Sequence, residues 1–253
     1  AAALPSPLFD KVWGEGGGFL SEENMKQVAF DTETWLIAEG RLAPKLVCLT
    51  WCDGGAPVCL DAKEAVQWAR DMLNDQVMLI GHNVAYDLGV LVQQDPSLMP
   101  LVWRAYEDGR IGDTMVHEQL KKIALGHTKP DPSNDGKQPR YSLSHLAQSY
   151  LGETVAGKVG DDVWRLRYHE LDGVPLHLWP QGARDYALLD AQYTWRIWSK
   201  QKNDPQHDFK NQVRYSWALH LMSAWGLRTD PKAVDVLEED LKKVVTESHR
   251  ALT

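Results

Sequence analysis

Gln27-Val28-Ala29-Phe30-Asp31-Thr32-Glu33 is an apolar strand that runs into two carboxylates. Side chains alternate between faces along a strand, so Asp31 and Glu33, two residues apart, project to the same side where it ends. That arrangement suits a cation, although an Asp-x-Glu at a strand end also occurs as a solvated turn. Outward from it, Leu46 to Trp51 reads as a second strand, Gly54-Gly55 as a turn, and Pro57 to Leu60 as a short third strand, which together make an antiparallel meander. Ala65, Val66, Trp68, Ala69, Met72 and Leu73 follow at helical spacing, and Val77-Met78-Leu79-Ile80 is a further strand stopped by Gly81. Val84, Leu88 and Leu91 mark a second helix, and Ile111-Gly112-Asp113-Thr114 a strand end that opens a third through Leu125. Strands that give way to helices in alternation predict an α/β layer around a mixed sheet.

Residues 126–139 are rich in Pro, Gly, Asp, Asn and Lys and read as an exposed loop. Leu143, Leu146, Ala147, Tyr150 and Leu151 form a short helix ended by Gly152, residues 153–180 are irregular and aromatic-rich, and a long helix covers 183–200. Val213, Trp217, Leu221 and Trp225 then share one helical face, and Asp230-Pro231 opens a helix with the stripe Val234, Leu237, Leu241, Val244. The expected organisation is a lead-in over 1–24, an α/β body over 25–205, and a helical pair over 206–253 that begins another domain.

The net charge of −8 argues against coating duplex DNA through bulk positive charge, but not against a site that attracts cations first. No apolar run approaches the ~20 residues that a membrane-spanning helix needs, and residues 1–18 lack the basic and apolar regions of a secretory signal. Cys48, Cys52 and Cys59 show no Cys-x-x-Cys pair, which predicts buried thiols in a reducing compartment rather than a zinc site.

Two further pairs carry chemistry. Asn83 and Asp87 lie four residues apart at a helix start, as do Tyr186 and Asp190 on the long helix, so each pair shares a face. Taken singly they also fit blander roles: a helix cap for Asn83, an exposed acid for Asp87, an amphipathic edge for Tyr186 and Asp190.

Together with Asp31 and Glu33, these segments resemble the exonuclease superfamily named for its four acidic residues, in the branch whose third motif carries a tyrosine. The likeness is closest to the proofreading domains of family A DNA polymerases. Asp113-Thr114-Met115, the helix ending in Tyr150-Leu151-Gly152, and Trp179-Pro180 support it, as does the stretch from Met222 through Gly226, Leu227 and Asp230 to Leu237, which resembles the beginning of a polymerase thumb. It extends over about residues 25–253, and the palm and fingers motifs are absent.

The resemblance implies a ribonuclease H-like mixed sheet flanked by helices and followed by a C-terminal helical pair. It implies 3′→5′ removal of nucleoside monophosphates from DNA with two Mg²⁺ or Mn²⁺ ions, since hard oxygen donors suit these ions better than zinc. By the same resemblance Asp31 bridges both ions, Glu33 and Asp190 hold the ion that binds the attacking water, and Asp87 reaches the other through water. Tyr186 orients that water, because a phenol with a pKa near 10 is a poor base at neutral pH. Thr32, Ile37, His82, Asn83 and Tyr86 are the implied strand contacts, with core packing open for Ile37 and a structural role for His82. Trp164, Arg165, Arg167 and Tyr168 either guide single strand or pack, and Lys129, Lys137 and Arg140 either touch DNA or are solvated. The implied partners are a single-stranded or frayed 3′ DNA end and a polymerase domain in cis or trans, in the cytoplasm of a bacterial or phage-infected cell. An RNA-trimming exonuclease and a non-catalytic nucleic-acid-binding module are the alternatives.

Overall fold

The computed structural model describes residues 25–38, 43–127, 141–155, 164–226 and 229–252. The lead-in expected over 1–24, Lys129, Lys137, Arg140 and Leu227 lie outside the described residues.

A five-stranded sheet in the order β3-β2-β1-β4-β5 forms the centre. β1 (Lys26–Thr34), β2 (Leu46–Cys52) and β3 (Val58–Asp61) are the antiparallel meander, while β4 (Val77–Gly81) and β5 (Ile111–Asp113) add in parallel on the other side of β1. Alternation along β1 builds two cores from one strand. Val28 and Phe30 face the larger core, shared with α1 (Ala62–Asn74), α2 (Val84–Gln94) and α3 (Met99–Glu107). Ala29 faces a second core with Ile80 and Trp198 of α6 (Gln181–Gln201). Helices therefore cover both faces, as the alternating pattern predicts.

Local signals explain the elements. Asp61 caps α1 by accepting from the backbone of Lys63 and Glu64, and Glu64 reaches back to the Asp61 N–H, a reciprocal pair that satisfies donors at the helix start. α4 (Thr114–Ala124) and α5 (Leu143–Leu151) begin on Asp113 and Ser142. Small residues on α6, Ala183, Ala187 and Ala191, let it lie close to the sheet, where the Thr50 hydroxyl donates to Ala187 O at 2.9 Å. The β2–β3 turn also abuts this helix. Gly54 has φ +103°, and a Cβ there would come within 2.6 Å of the Trp195 ring.

Two features differ from the sequence expectation. The sequence pattern predicts no helix at α3, where Pro96 and Pro100 look like breakers, yet Pro100 sits in the first turn, where no intrahelical donor is lost. The second concerns α7 (Phe209–Trp225), which belongs to the packed body rather than extending from it. Val213 and Trp217 are buried in the larger core, and Trp217 stacks on Tyr106 of α3 with ring centroids 5.8 Å apart. The larger core thus takes in two side chains of the segment expected to follow the α/β body. In α8 (Pro231–Leu252) the described side chains, 231–250, are all exposed, stripe included. No helix among the described residues is long and apolar enough to cross a membrane. Cys48 and Cys52 are buried thiols and Cys59 is half-buried.

Candidate active site

β1 outruns its parallel neighbour. Its pairing with β4 ends at Ala29 opposite Ile80, whereas its pairing with β2 continues to Thr34 opposite Leu46, with a register shift after Glu33. Asp31, Thr32 and Glu33 therefore lie beyond the end of β4, where side chains from α2 and α6 can reach them.

On the α6 side, the ligand oxygens of Asp31, Glu33 and Asp190 all lie within 4.8 Å of one another. Glu33 and Asp190 are buried and Asp31 half-buried. Like charges this close repel, and a divalent cation relieves them; an all-carboxylate donor set presents only hard oxygens. Tyr186, one turn before Asp190, lines the same cleft of about 670 Å³. Burial pushes its phenol far above the usual range, and the charges of Asp190, Glu33 and Asp31 add to that. Both effects favour the neutral, hydrogen-bonding form of Tyr186.

On the opposite face, Asp87 is 3% exposed and does not join the three converging carboxylates. Its Oδ1 accepts from the Thr32 backbone N–H at 3.0 Å and from the Thr32 hydroxyl at 2.5 Å. Burial raises its carboxyl to about 7, the two Thr32 bonds pull it back, and the charge of Asp113 adds to the rise. Asp87 is thus a buried acid held directly behind the residue that separates Asp31 from Glu33, not the exposed acid its helical position alone allows.

The expected strand contacts divide. Thr32, Ile37, His82 and Tyr86 line the cleft. Ile37 is 77% exposed, which removes the core-packing reading. Tyr86 is hydrogen-bonded to Thr34 at 3.1 Å. His82 combines both of its readings, since it lines the cleft while Nδ1 lies 2.9 Å from the Thr114 hydroxyl, which itself donates to Gly81 O. Asn83 is exposed and is not among the residues lining the cleft. It adopts the left-handed conformation, φ 65° and ψ 47°, which asparagine tolerates, and its side chain makes no cap bond.

The cap it lacks comes from Asp113. Oδ1 of this buried carboxylate accepts from the backbone of Met115 (2.8 Å), Val116 (3.1 Å) and Asn83 (3.2 Å), and Oδ2 from Val84 (2.9 Å). One side chain therefore starts both α2 and α4, and holds the turn that aims Asp87. The sequence marks Asp113 as a helix cap, but nothing local points to the second helix. Ser142, Ser144, Arg165 and Leu166 also line the cleft. A larger cavity, about 750 Å³, opens at the other end of β1 between Gln27, Trp198 and Phe209, away from the acidic cluster.

Comparison with known proteins agrees with this geometry. The family model described as 3′-5′ exonuclease matches residues 19–204. DNA polymerase DpoZ of Salmonella phage PMBT28 is 22% identical over 243 residues, which cover 91% of this chain and 36% of the polymerase. The chain thus spans just over a third of the length of that relative. Among solved structures, Escherichia coli RNase D, an exoribonuclease involved in structured RNA processing, matches with a TM-score of 0.50 and 16% identity over 81% of this chain and 46% of its own. Brucella melitensis NrnC matches with a TM-score of 0.49 and 15% identity, over 82% of this chain and 87% of its own. At such identity the likeness to RNase D speaks for the fold alone, a ribonuclease H-like mixed sheet with flanking helices. Because the family model spans well over half of its length, the chain belongs to the 3′-5′ exonuclease family, enzymes that hydrolyse phosphodiesters from the 3′ ends of nucleic acids.

Proposed function

We propose that this domain removes nucleoside monophosphates from DNA 3′ ends by two-metal-ion hydrolysis, as the proofreading part of a family A DNA polymerase. The observation that carries the reading is the convergence of Asp31, Glu33 and Asp190 within 4.8 Å, on a cleft that Tyr186 also lines. In this reading Asp31, Glu33 and Asp190 would hold the ions, Asp31 serving both, and Asp87, from behind Thr32, would act on the second only through water. The carboxylate-only donor set favours Mg²⁺ or Mn²⁺. Bound, the ions supply charge neutralisation at the phosphate and a lowered pKa for the attacking water.

The protein's own groups do the rest. Tyr186 stays protonated and positions the water, since its raised pKa leaves it no basic form near neutrality. Asp87 and Thr32 brace the strand between the two acids of β1. Ile37 and Tyr86 offer the terminal nucleotide apolar surface, His82 lies along the strand's path, and Asn83 lies just outside it, within reach of a longer strand.

The phage polymerase relative supports DNA as substrate and a polymerase domain, in cis or trans, as partner. It also supports a phage-infected or bacterial cytoplasm as the setting. We assign residues 25–205 to the nuclease and 206–253 to the beginning of a thumb-like segment, with α7 fastened to the nuclease core and the exposed stripe of α8 left for the remainder of the polymerase.

The test is to incubate the protein with end-labelled single-stranded DNA and RNA, with Mg²⁺, Mn²⁺ or a chelator, beside Asp31→Ala. Stepwise shortening of DNA from the 3′ end, dependent on metal and abolished in the variant, is expected. Equal or faster trimming of RNA makes the protein an RNA-trimming exonuclease, and no trimming under any condition makes it a non-catalytic binding module.

A further inference from the structure

The four residues Trp164, Arg165, Arg167 and Tyr168 precede the long helix as an aromatic-basic mixture, and the structure separates them. Tyr168 is buried, and its hydroxyl donates to Ala183 O at 2.7 Å. Trp164 packs on the start of α6, where a Cβ on Gly182 would lie 3.2 Å from its Nε1. Arg167 stacks on Trp164 at 4.6 Å and pairs with both oxygens of Glu170 at 2.9 Å. These three fasten the turn Trp164–Leu166 to α6, the helix that carries Tyr186 and Asp190.

Arg165 is left facing the cleft. It is exposed, and among the described residues lining the cleft it is the only lysine or arginine. Its charge acts on the Tyr186 phenol, lowering a pKa that burial raises, so the guanidinium lies beside the catalytic face. Electrostatics gives it a task. The converging carboxylates of Asp31, Glu33 and Asp190 make the floor of the cleft acidic, so they offer nothing to hold the phosphates of the strand leading away from the scissile bond. The protein as a whole, at net charge −8, offers no general attraction. A single strand therefore needs a local cation on the cleft wall, and a guanidinium suits phosphate because its planar fork donates two parallel bonds.

We propose that Arg165 is a substrate-binding residue that holds a backbone phosphate of the incoming strand, on a wall completed by Leu166. A phosphate contact carries no sequence information, so it serves every base alike. This inference rests on the exonuclease reading, and the experiment separates the two.

Binding of a labelled oligothymidylate is measured by anisotropy in Mg²⁺ between about 50 and 200 mM KCl. Phosphorothioates at its last linkages keep the charge and slow cleavage. Wild type, Arg165→Gln and Arg165→Lys are compared. Arg165→Gln is expected to weaken binding about tenfold at the lowest salt, the scale of one charge-assisted hydrogen bond. It is also expected to reduce the slope of log affinity against log salt by about 0.7, the share of one single-strand phosphate. Arg165→Lys keeps the slope. The same losses on oligoadenylate and oligocytidylate support the proposal. An unchanged affinity overturns it, as does a loss of affinity with the slope intact, or a wild-type protein that does not bind the strand. Wild-type trimming of unmodified DNA, run beside it, tests the exonuclease reading alone: trimming with an unaltered slope in Arg165→Gln sinks the role of Arg165 and spares the enzyme.

Discussion

Thr32 gives both its backbone N–H and its hydroxyl to the same carboxylate oxygen of Asp87, at 3.0 and 2.5 Å. The link ties the first turn of α2 to the strand segment between Asp31 and Glu33, and sets how a buried acid titrates.

The pH dependence of stability follows from it. Burial raises the folded-state pKa of Asp87 to about 7 from an ordinary 3.8. The folded protein then keeps a proton that the unfolded chain releases, so this stabilisation is complete below the ordinary pKa and is lost as pH climbs through 7. Asp113, also raised by burial, adds in the same direction. In chelator, the melting temperature is expected to fall between about pH 5 and pH 8, and Asp87→Asn to fall less steeply. Thermal melts across that range check it; a melting temperature that rises with pH equally in both proteins refutes the assignment.

Asp113 starts two helices, so its loss strands four backbone donors at once. Asp113→Ala is expected to cost about 2–4 kcal/mol, several times an ordinary cap. Asp113→Asn keeps one oxygen acceptor and is expected to cost less. Urea unfolding with both variants decides, and equal costs would show that the single acceptor an isosteric amide retains does nothing for the two helix starts.

Ile37 stands 77% exposed at the cleft. Truncation to alanine is expected to leave stability within about 0.5 kcal/mol, as for an ordinary surface site. KM for single-stranded DNA is expected to rise severalfold with kcat little altered. A stability loss without a change in KM would return Ile37 to a packing role.

Trp217 tests where the nuclease body ends. It is fully buried among Tyr106, Trp103 and His220. Trp217→Ala is expected to destabilise by about 3–5 kcal/mol, the cost of emptying an aromatic core position. Calorimetry on the whole chain measures it, and a change below about 1 kcal/mol would mean that α7 only rests on the body.

What could be read in advance was what neighbours along the chain encode. An apolar run into Asp31 and Glu33, a four-residue step from Tyr186 to Asp190, and Gly152 after an apolar stripe are local patterns, and each lies where its period says. Other features depend on partners far away in sequence. The stripe Val213, Trp217 identifies a buried face but not the body that buries it, so α7 looked like the beginning of something else. Asp87 is distinguished by a bond to Thr32, on the face of β1 opposite the acids, and Asp113 by a helix thirty residues upstream. Arg165 could not be told from Arg167 by composition; only Glu170 and the Trp164 ring set them apart.

The contact between Gly54 and Trp195 leaves no slack. Asp190 sits five residues before Trp195 on α6, about 7.5 Å along the axis at 1.5 Å per residue, and the helix is stiff over that length. A hairpin tip with no side chain thus leaves the Trp195 indole room on the helix that carries Asp190. One added carbon there would meet the indole at 2.6 Å and would also strain a backbone held at φ +103°, so only glycine fits the turn beside α6.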